Sequence, residues 1–197
     1  MWSAATSIVP VLDAKVFKAY DIRGIYPEDL DEAGAYAIGR AYVEEFEPRT
    51  IAVGRDMRLS SPSMADAVMR GATEAGADVI DLGLVGTEMV YYAVGELDLE
   101  GGVMVTASHN PKEYTGMKIV RRGALPVGGD SGLPEIRTRA MSVADRPRGQ
   151  SLGNQYAGTC SSSSAQTSAS GESCSEFARG SNRAIAPSSL RCHRATT

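Results

Sequence analysis

Between Val16 and Arg137, short apolar runs alternate with longer segments of helical period, and few folds accommodate that alternation. It predicts an α/β domain: a mixed, partly parallel sheet layered between helices. The apolar runs place strands at residues 17–21, 50–54, 78–82 and 102–106. The first helix is predicted over 31–46, with Asp31 as N-cap, Ala35, Ile38, Ala41, Tyr42 and Phe46 on one face, and Pro48 marking its end. The second starts near Ser60 or Ser61 with Pro62 in its first turn, runs to Gly76, and carries the stripe Met64, Val68, Met69, Ala72. The third covers 87–96 with Thr87 as its cap. A loop follows residue 106, then an apolar segment at 117–120, a turn-rich stretch at 121–132 and a helical start at 133–137.

Residues 1–137 therefore read as one domain, and 138–197 as a tail without either period, dominated by Ser, Arg, Ala, Thr and Gly, with a serine run at 161–164. Such a composition predicts disorder, because too little apolar surface is available to offset the ordering entropy. The abrupt change, with no lysine past the break, looks like translation in a shifted reading frame, with a natural low-complexity linker or tail as the alternative. Charge divides the same way, −8 over residues 1–137 and +4 beyond. The three cysteines (Cys160, Cys174, Cys192) all lie in the tail, and with His193 they match no zinc spacing, so neither disulfides nor zinc is expected to shape the domain. The apolar stretch 8–12 is too short for a signal core or a membrane span, which predicts a cytoplasmic protein without a membrane partner. An acidic body lacking clustered Lys and Arg argues against nucleic acid and leaves room for a small anionic substrate.

The segment with the most chemistry is Thr106-Ala107-Ser108-His109-Asn110-Pro111, directly after the buried-type run Val103-Met104-Val105. Functional groups of α/β sheets collect at the carboxyl ends of strands. Taken alone, however, Ser, Asn and Pro fit an ordinary turn as well as a catalytic loop. Gly129-Asp130-Ser131-Gly132 looks superficially like a protease nucleophile segment, but the all-β context of such enzymes is missing, and a helix cap is the better expectation. Ser108 and His109 make a poor hydrolase pair if the segment is extended, since adjacent side chains then point to opposite sides.

With Gly116-Met117-Lys118-Ile119, Phe17-Lys18-Ala19-Tyr20-Asp21-Ile22-Arg23-Gly24 and Val53-Gly54-Arg55-Asp56-Met57-Arg58-Leu59-Ser60, the loop resembles the first, phosphoserine-bearing domain of the α-D-phosphohexomutase family over residues 15–137. The resemblance implies that Ser108 carries a phosphoryl group, with His109, Lys118 and Arg23 as catalytic partners and Tyr20 and Asn110 binding substrate. It implies a phosphorylated hexose as partner, with 1- and 6-phosphates exchanged through a bisphosphorylated sugar. It also implies Mg²⁺, bound through the phosphate of Ser108. The chemistry is coherent: phosphoryl transfer spreads negative charge over the transferring oxygens, so it needs cations and an aligned nucleophile. Arg23 offers a forked donor and Lys118 a point charge or proton carrier, while His109 and Asn110 orient the phosphate. The plainer alternatives are a surface ion pair of Arg23 with Asp21 or Glu28, a core-edge role for Tyr20, a solvated Lys118, and a structural ion-pair network of Arg55, Asp56 and Arg58 beneath the loop. The family enzyme has three further domains supplying a metal loop, a sugar-selecting loop and a phosphate clamp, and no Asp-Gly-Asp segment occurs here. Two readings follow: a phosphohexomutase by descent, or an inactive truncated product, at most a phosphate-accepting module.

Overall fold

The computed structural model describes residues 12–142 and 153–157. In chain order the strands are β1 (Ile22–Ile25), β2 (Thr50–Arg55), β3 (Asp78–Leu84), β4 (Gly101–Val105), β5 (Tyr114–Arg121), β6 (Leu125–Pro126) and β7 (Gln155–Ala157). The helices are α1 (Glu32–Phe46), α2 (Ser61–Glu74), α3 (Thr87–Glu96) and α4 (Leu133–Ser142). Among the described residues the sheet runs β1-β5-β4-β2-β3-β7, with β6 paired to β5. Strands β4, β2, β3 and β7 are mutually parallel, whereas β5 is antiparallel to both β4 and β1. This is the mixed α/β sheet that the alternating pattern predicts.

Local signals act as expected in α1 and α2. Asp31 caps α1 by accepting the Gly34 amide at 2.8 Å, and Pro62 sits in the first turn of α2, where a missing amide is harmless. Three expectations need correction. Residues 17–21 form no strand; the Lys18 amide donates to the Asp21 carbonyl and Phe17 bridges Ile22, so the segment folds back on itself and β1 begins at Ile22. Helix α3 is capped by Gly86 rather than Thr87, without a side-chain bond. Ser131 does not cap α4: its hydroxyl oxygen accepts the Gly128 amide at 2.7 Å and closes the turn before the helix. The described structure also passes Arg137, because α4 continues to Ser142 with Ala140 buried and β7 adds to the edge of β3. The remainder of the predicted tail lies outside the described residues.

The two faces of the sheet are covered unequally. Ile51, Val53, Val103, Val105, Met117 and Ile119 join the buried faces of α1, α2 and α4 in one large core. The opposite face buries Ala52 and Val120 against Val94 of α3 and Leu99 in a smaller cluster. Because side chains alternate along a strand, Lys118 falls on this thin side, between Met117 and Ile119 of the thick one. Helices α1 and α2 pack with their backbones close: a Cβ on Gly71 would collide with the Tyr36 carbonyl, and one on Gly39 with the Val68 carbonyl.

Two stability outcomes follow. Gly71→Ala should lower stability by about 1–3 kcal/mol through overpacking, even though alanine favours a helix by about 1 kcal/mol. An unchanged denaturant midpoint would contradict the close packing. Glu100 accepts the Arg49 amide and a side-chain pair from the same arginine, with Arg122 nearby, and this holds its carboxyl below the ordinary value of 4.5. A carboxyl depressed in the folded state stabilises above its unfolded pKa and loses that contribution as pH falls through the folded one. Glu100→Gln should therefore flatten the acid side of the stability profile below about pH 4.5, as read by thermal midpoints across pH.

Candidate active site

The loop between β4 and β5 is built by short-range bonds and then held from below. The Ser108 amide donates to Thr106 Oγ1 at 2.9 Å, and both the amide and the side-chain nitrogen of Asn110 donate to the Ala107 carbonyl, at 3.1 and 2.6 Å. These bonds turn the chain so tightly that Ser108 takes a left-handed conformation, φ 55°. Its hydroxyl is exposed and lies 3.3 Å from His109 Nδ1. The expectation that these neighbours diverge is thus corrected, because the segment is a left-handed turn and not an extended one.

Beneath the loop stands Arg58, only 14% exposed. Nη1 donates to the Pro111 and Tyr114 carbonyls at 2.6 and 3.2 Å, and Nη2 to those of Ser108 and Asn110 at 3.0 and 2.6 Å. Nε faces Asp56 Oδ2 at 3.3 Å. Asp56 is itself fixed, its Oδ1 accepting the Arg58 amide at 3.0 Å and the Ser61 hydroxyl at 2.5 Å. A left-handed non-glycine residue costs about 1–3 kcal/mol, and a hydrogen bond to a charged group returns about 1.5–3 kcal/mol. Four such bonds therefore outweigh the strain at Ser108. The expected network of Arg55, Asp56 and Arg58 is present only as the Asp56–Arg58 pair; Arg55 Nη1 is buried without a partner.

Two cations gather beside the loop on the thin face of the sheet. Arg23 lies opposite Gly116, which is two residues before Lys118 on β5, so the two side chains are diagonal neighbours. Asp21 joins them: its Oδ2 receives Arg23 Nη2 at 2.5 Å and Lys118 Nζ at 3.3 Å. The Asp21 side chain is 9% exposed, those of Arg23 and Lys118 about a third exposed, so a buried carboxylate presents two accessible cations. Gly116 makes this approach possible. A Cβ there would collide with the Ile22 carbonyl and crowd that of Thr106, separating β1 and β4 from β5.

A groove of about 450 Å³ opens at the carboxyl ends of β2, β3 and β4, lined among others by Asp56, Thr87, Thr106, Ser108, Asn110 and Lys112. The structure thus brings Ser108, His109 and Asn110 together on the loop and pairs Arg23 with Lys118 through Asp21. Tyr20 stands apart in the turn before β1, 81% exposed. Sequence reading gives Asp21 only as an ion-pair partner of Arg23 and places Arg58 in a structural network beneath the loop; the structure adds that Asp21 also holds Lys118 and that Arg58 bonds four loop carbonyls. Among the described residues no three His, Cys, Asp or Glu side chains are arranged to hold a metal ion, and no helix is long and apolar enough to cross a membrane.

Residues 14–144 match the family model for phosphoglucomutase/phosphomannomutase, alpha/beta/alpha domain I. A phosphomannomutase of Klebsiella pneumoniae is 54% identical over 124 residues, covering 63% of this chain and 79% of that protein. A phosphomannomutase of Salmonella montevideo is 51% identical over 131 residues, covering 66% of this chain; the chain spans 28% of its length. A crystal structure of a phosphoglucomutase/phosphomannomutase family protein from Burkholderia thailandensis superposes with a TM-score of 0.65 at 35% identity, covering 74% of this chain and 33% of that one.

The shared carboxylate gives a direct expectation. Asp21→Asn keeps the shape but removes the negative charge that Arg23 and Lys118 share, and should destabilise the domain by about 1–3 kcal/mol in denaturant titration. Unchanged stability would mean that the two cations are not held through Asp21.

Proposed function

We propose that this chain, which belongs to the phosphoglucomutase/phosphomannomutase family, carries the phosphoryl-accepting serine of a hexose-phosphate mutase at Ser108. The supporting observation is an exposed serine, held left-handed at the carboxyl end of β4 and opening on a groove, within the stretch that matches the family's first domain. In the forward step Ser108 Oγ attacks the phosphorus of a phosphorylated hexose. The Oγ–P bond forms as the bond from phosphorus to the sugar oxygen breaks. His109 Nδ1, 3.3 Å away, accepts the serine proton. Arg23 and Lys118 turn from Asp21 toward the phosphoryl oxygens, where their charge counters that developing in the transition state. Lys118 also returns a proton to the leaving sugar oxygen. Asn110 acts through the loop, since its side-chain nitrogen donates to the Ala107 carbonyl, and Tyr20, exposed in the turn before β1, offers an open ring for the sugar.

The family implies Mg²⁺, and the residues described do not form a site for it. Two carboxylates beside the loop are neutralised by cations, Asp56 by Arg58 and Asp21 by Arg23 and Lys118, and among the described residues no three His, Cys, Asp or Glu side chains are arranged to hold a metal ion. Protein ligands for the ion would have to come from outside the described residues, and no step is derived through it. The chain spans 28% of the Salmonella relative, so phosphate acceptance by Ser108 is the activity proposed for these residues, and complete interconversion of hexose 1- and 6-phosphates the activity of the whole enzyme.

The test is incubation with a hexose 1,6-bisphosphate followed by mass spectrometry of the peptide carrying residues 106–112. One phosphate on Ser108, absent in Ser108→Ala, is the expected result. Lys118→Met and Arg23→Gln should each slow labelling by about 10²–10⁴-fold, the range for loss of a positioned proton-transfer or charge-stabilising group. Label on Ser131 with Ser108 unmodified would overturn the assignment.

A further inference from the structure

Arg58 lines the groove beside Ser108, where an arginine is ordinarily read as a phosphate ligand. Its geometry argues otherwise. A guanidinium has five N–H donors. Two on Nη1 face Pro111 and Tyr114, two on Nη2 face Ser108 and Asn110, and the one on Nε faces Asp56. The two Nη groups are hydrogen-bonded to loop carbonyls and Nε is ion-paired with Asp56, so the guanidinium is committed to the protein and not presented to a substrate. Four carbonyls between residues 108 and 114 point inward to one cation, and one of them belongs to the residue whose φ is positive.

We propose that Arg58 is the positioning residue of the phosphoryl-accepting loop: it fixes the left-handed turn at Ser108, and so the direction of Oγ, without touching the substrate. The inference rests on the assignment of Ser108 as the phosphoryl acceptor. The anchor is rigid because Asp56, which orients the guanidinium, is tied to Ser61 at the start of α2, a residue with no exposed surface. Loop direction is thereby set by the helix layer together with the loop's own short-range bonds. Lysine cannot substitute, since an ammonium offers three donors from a single point and cannot reach four diverging carbonyls.

The experiment compares the full chain with Arg58→Lys and Arg58→Met, and with Arg70→Lys as a control at an exposed arginine on α2. Three quantities are read: hydrogen exchange of the amides in 106–114, exchange of the core strand β2, and Ser108 labelling as a function of hexose 1,6-bisphosphate concentration. Positioning predicts a maximal labelling rate lower by about 10²-fold, as for a nucleophile displaced by an ångström, with the half-saturating concentration changed by less than about twofold. Loop amides should exchange at least about tenfold faster while β2 keeps its protection, and Arg58→Lys should fare no better than Arg58→Met. A raised half-saturating concentration at unchanged maximal rate would make Arg58 a substrate ligand and overturn the proposal. Equal loss of protection in β2 would make it a general structural residue, with the same consequence. A wild-type chain that takes no label at Ser108 removes the premise instead, and loop exchange that stays at the wild-type rate in both variants overturns the positioning role independently of any labelling.

Discussion

Strand β5 runs antiparallel to both β1 and β4, and this double pairing determines where the charged groups of the site can stand. Parallel strands need a crossover to connect, whereas antiparallel ones need only a loop, so the chain leaving β4 at Val105 turns back within a few residues and lies alongside itself. That return places Lys118 level with Met104 and Gly116 level with Arg23 of β1. Gly116 is the point of closest approach. Any side chain there would separate the strands that hold the Ser108 loop and the two cations.

The same sheet explains why the site is open. Among the described residues, three helices cover one face and build the main core, while α3 is the helix on the other and packs over β2 and β4. Lys118 and Arg23 project beyond it, partly buried by their own strands and by Asp21, yet in reach of solvent. Burying Asp21 and exposing its partners is a sound electrostatic arrangement. The carboxylate holds both cations in place, and in the function proposed above a phosphate of higher charge would compete for them. Strain at Ser108 is tolerated for a related reason, since the bonds that Arg58 makes to the loop exceed in strength what the left-handed turn costs.

Much of this was legible before any coordinates. The apolar run Val103-Met104-Val105 and the segments that became α1, α2 and α3 carry strong periodic signals, and Asp31 and Pro62 act through local chemistry that a sequence displays directly. The motif residues on the loop and on β5 could likewise be named from their order. What escaped depends on distance or on a single dihedral angle. Residues 17–21 have the composition of a strand, but one bond from Lys18 to Asp21 turns them back, and nothing local distinguishes the outcomes. Arg58 contacts residues 50 to 56 positions away, a span across which spacing carries no signal. The approach of His109 to Ser108 depends on the sign of φ at one residue. Strand β7 is three residues long in a stretch without period, and it is placed by pairing with the edge of β3 and by long-range bonds of Asn154 to Asp78 and of Gly153 to Thr73.

The central claim is that Ser108, Arg23 and Lys118 form one anion site although they come from three separate segments. The most direct measurement is a ³¹P-NMR titration of the chain carrying phosphoserine at position 108, installed chemically so that no transfer reaction is required. Free phosphoserine loses its second proton near pH 6. If the two cations face the phosphate, its midpoint should lie clearly below that value and return toward it in the Arg23→Gln, Lys118→Met double variant, because nearby positive charge favours the dianion. A midpoint equal to that of free phosphoserine, unmoved by the double variant, would show that the loop and the cations do not act on a common phosphate and would contradict the account.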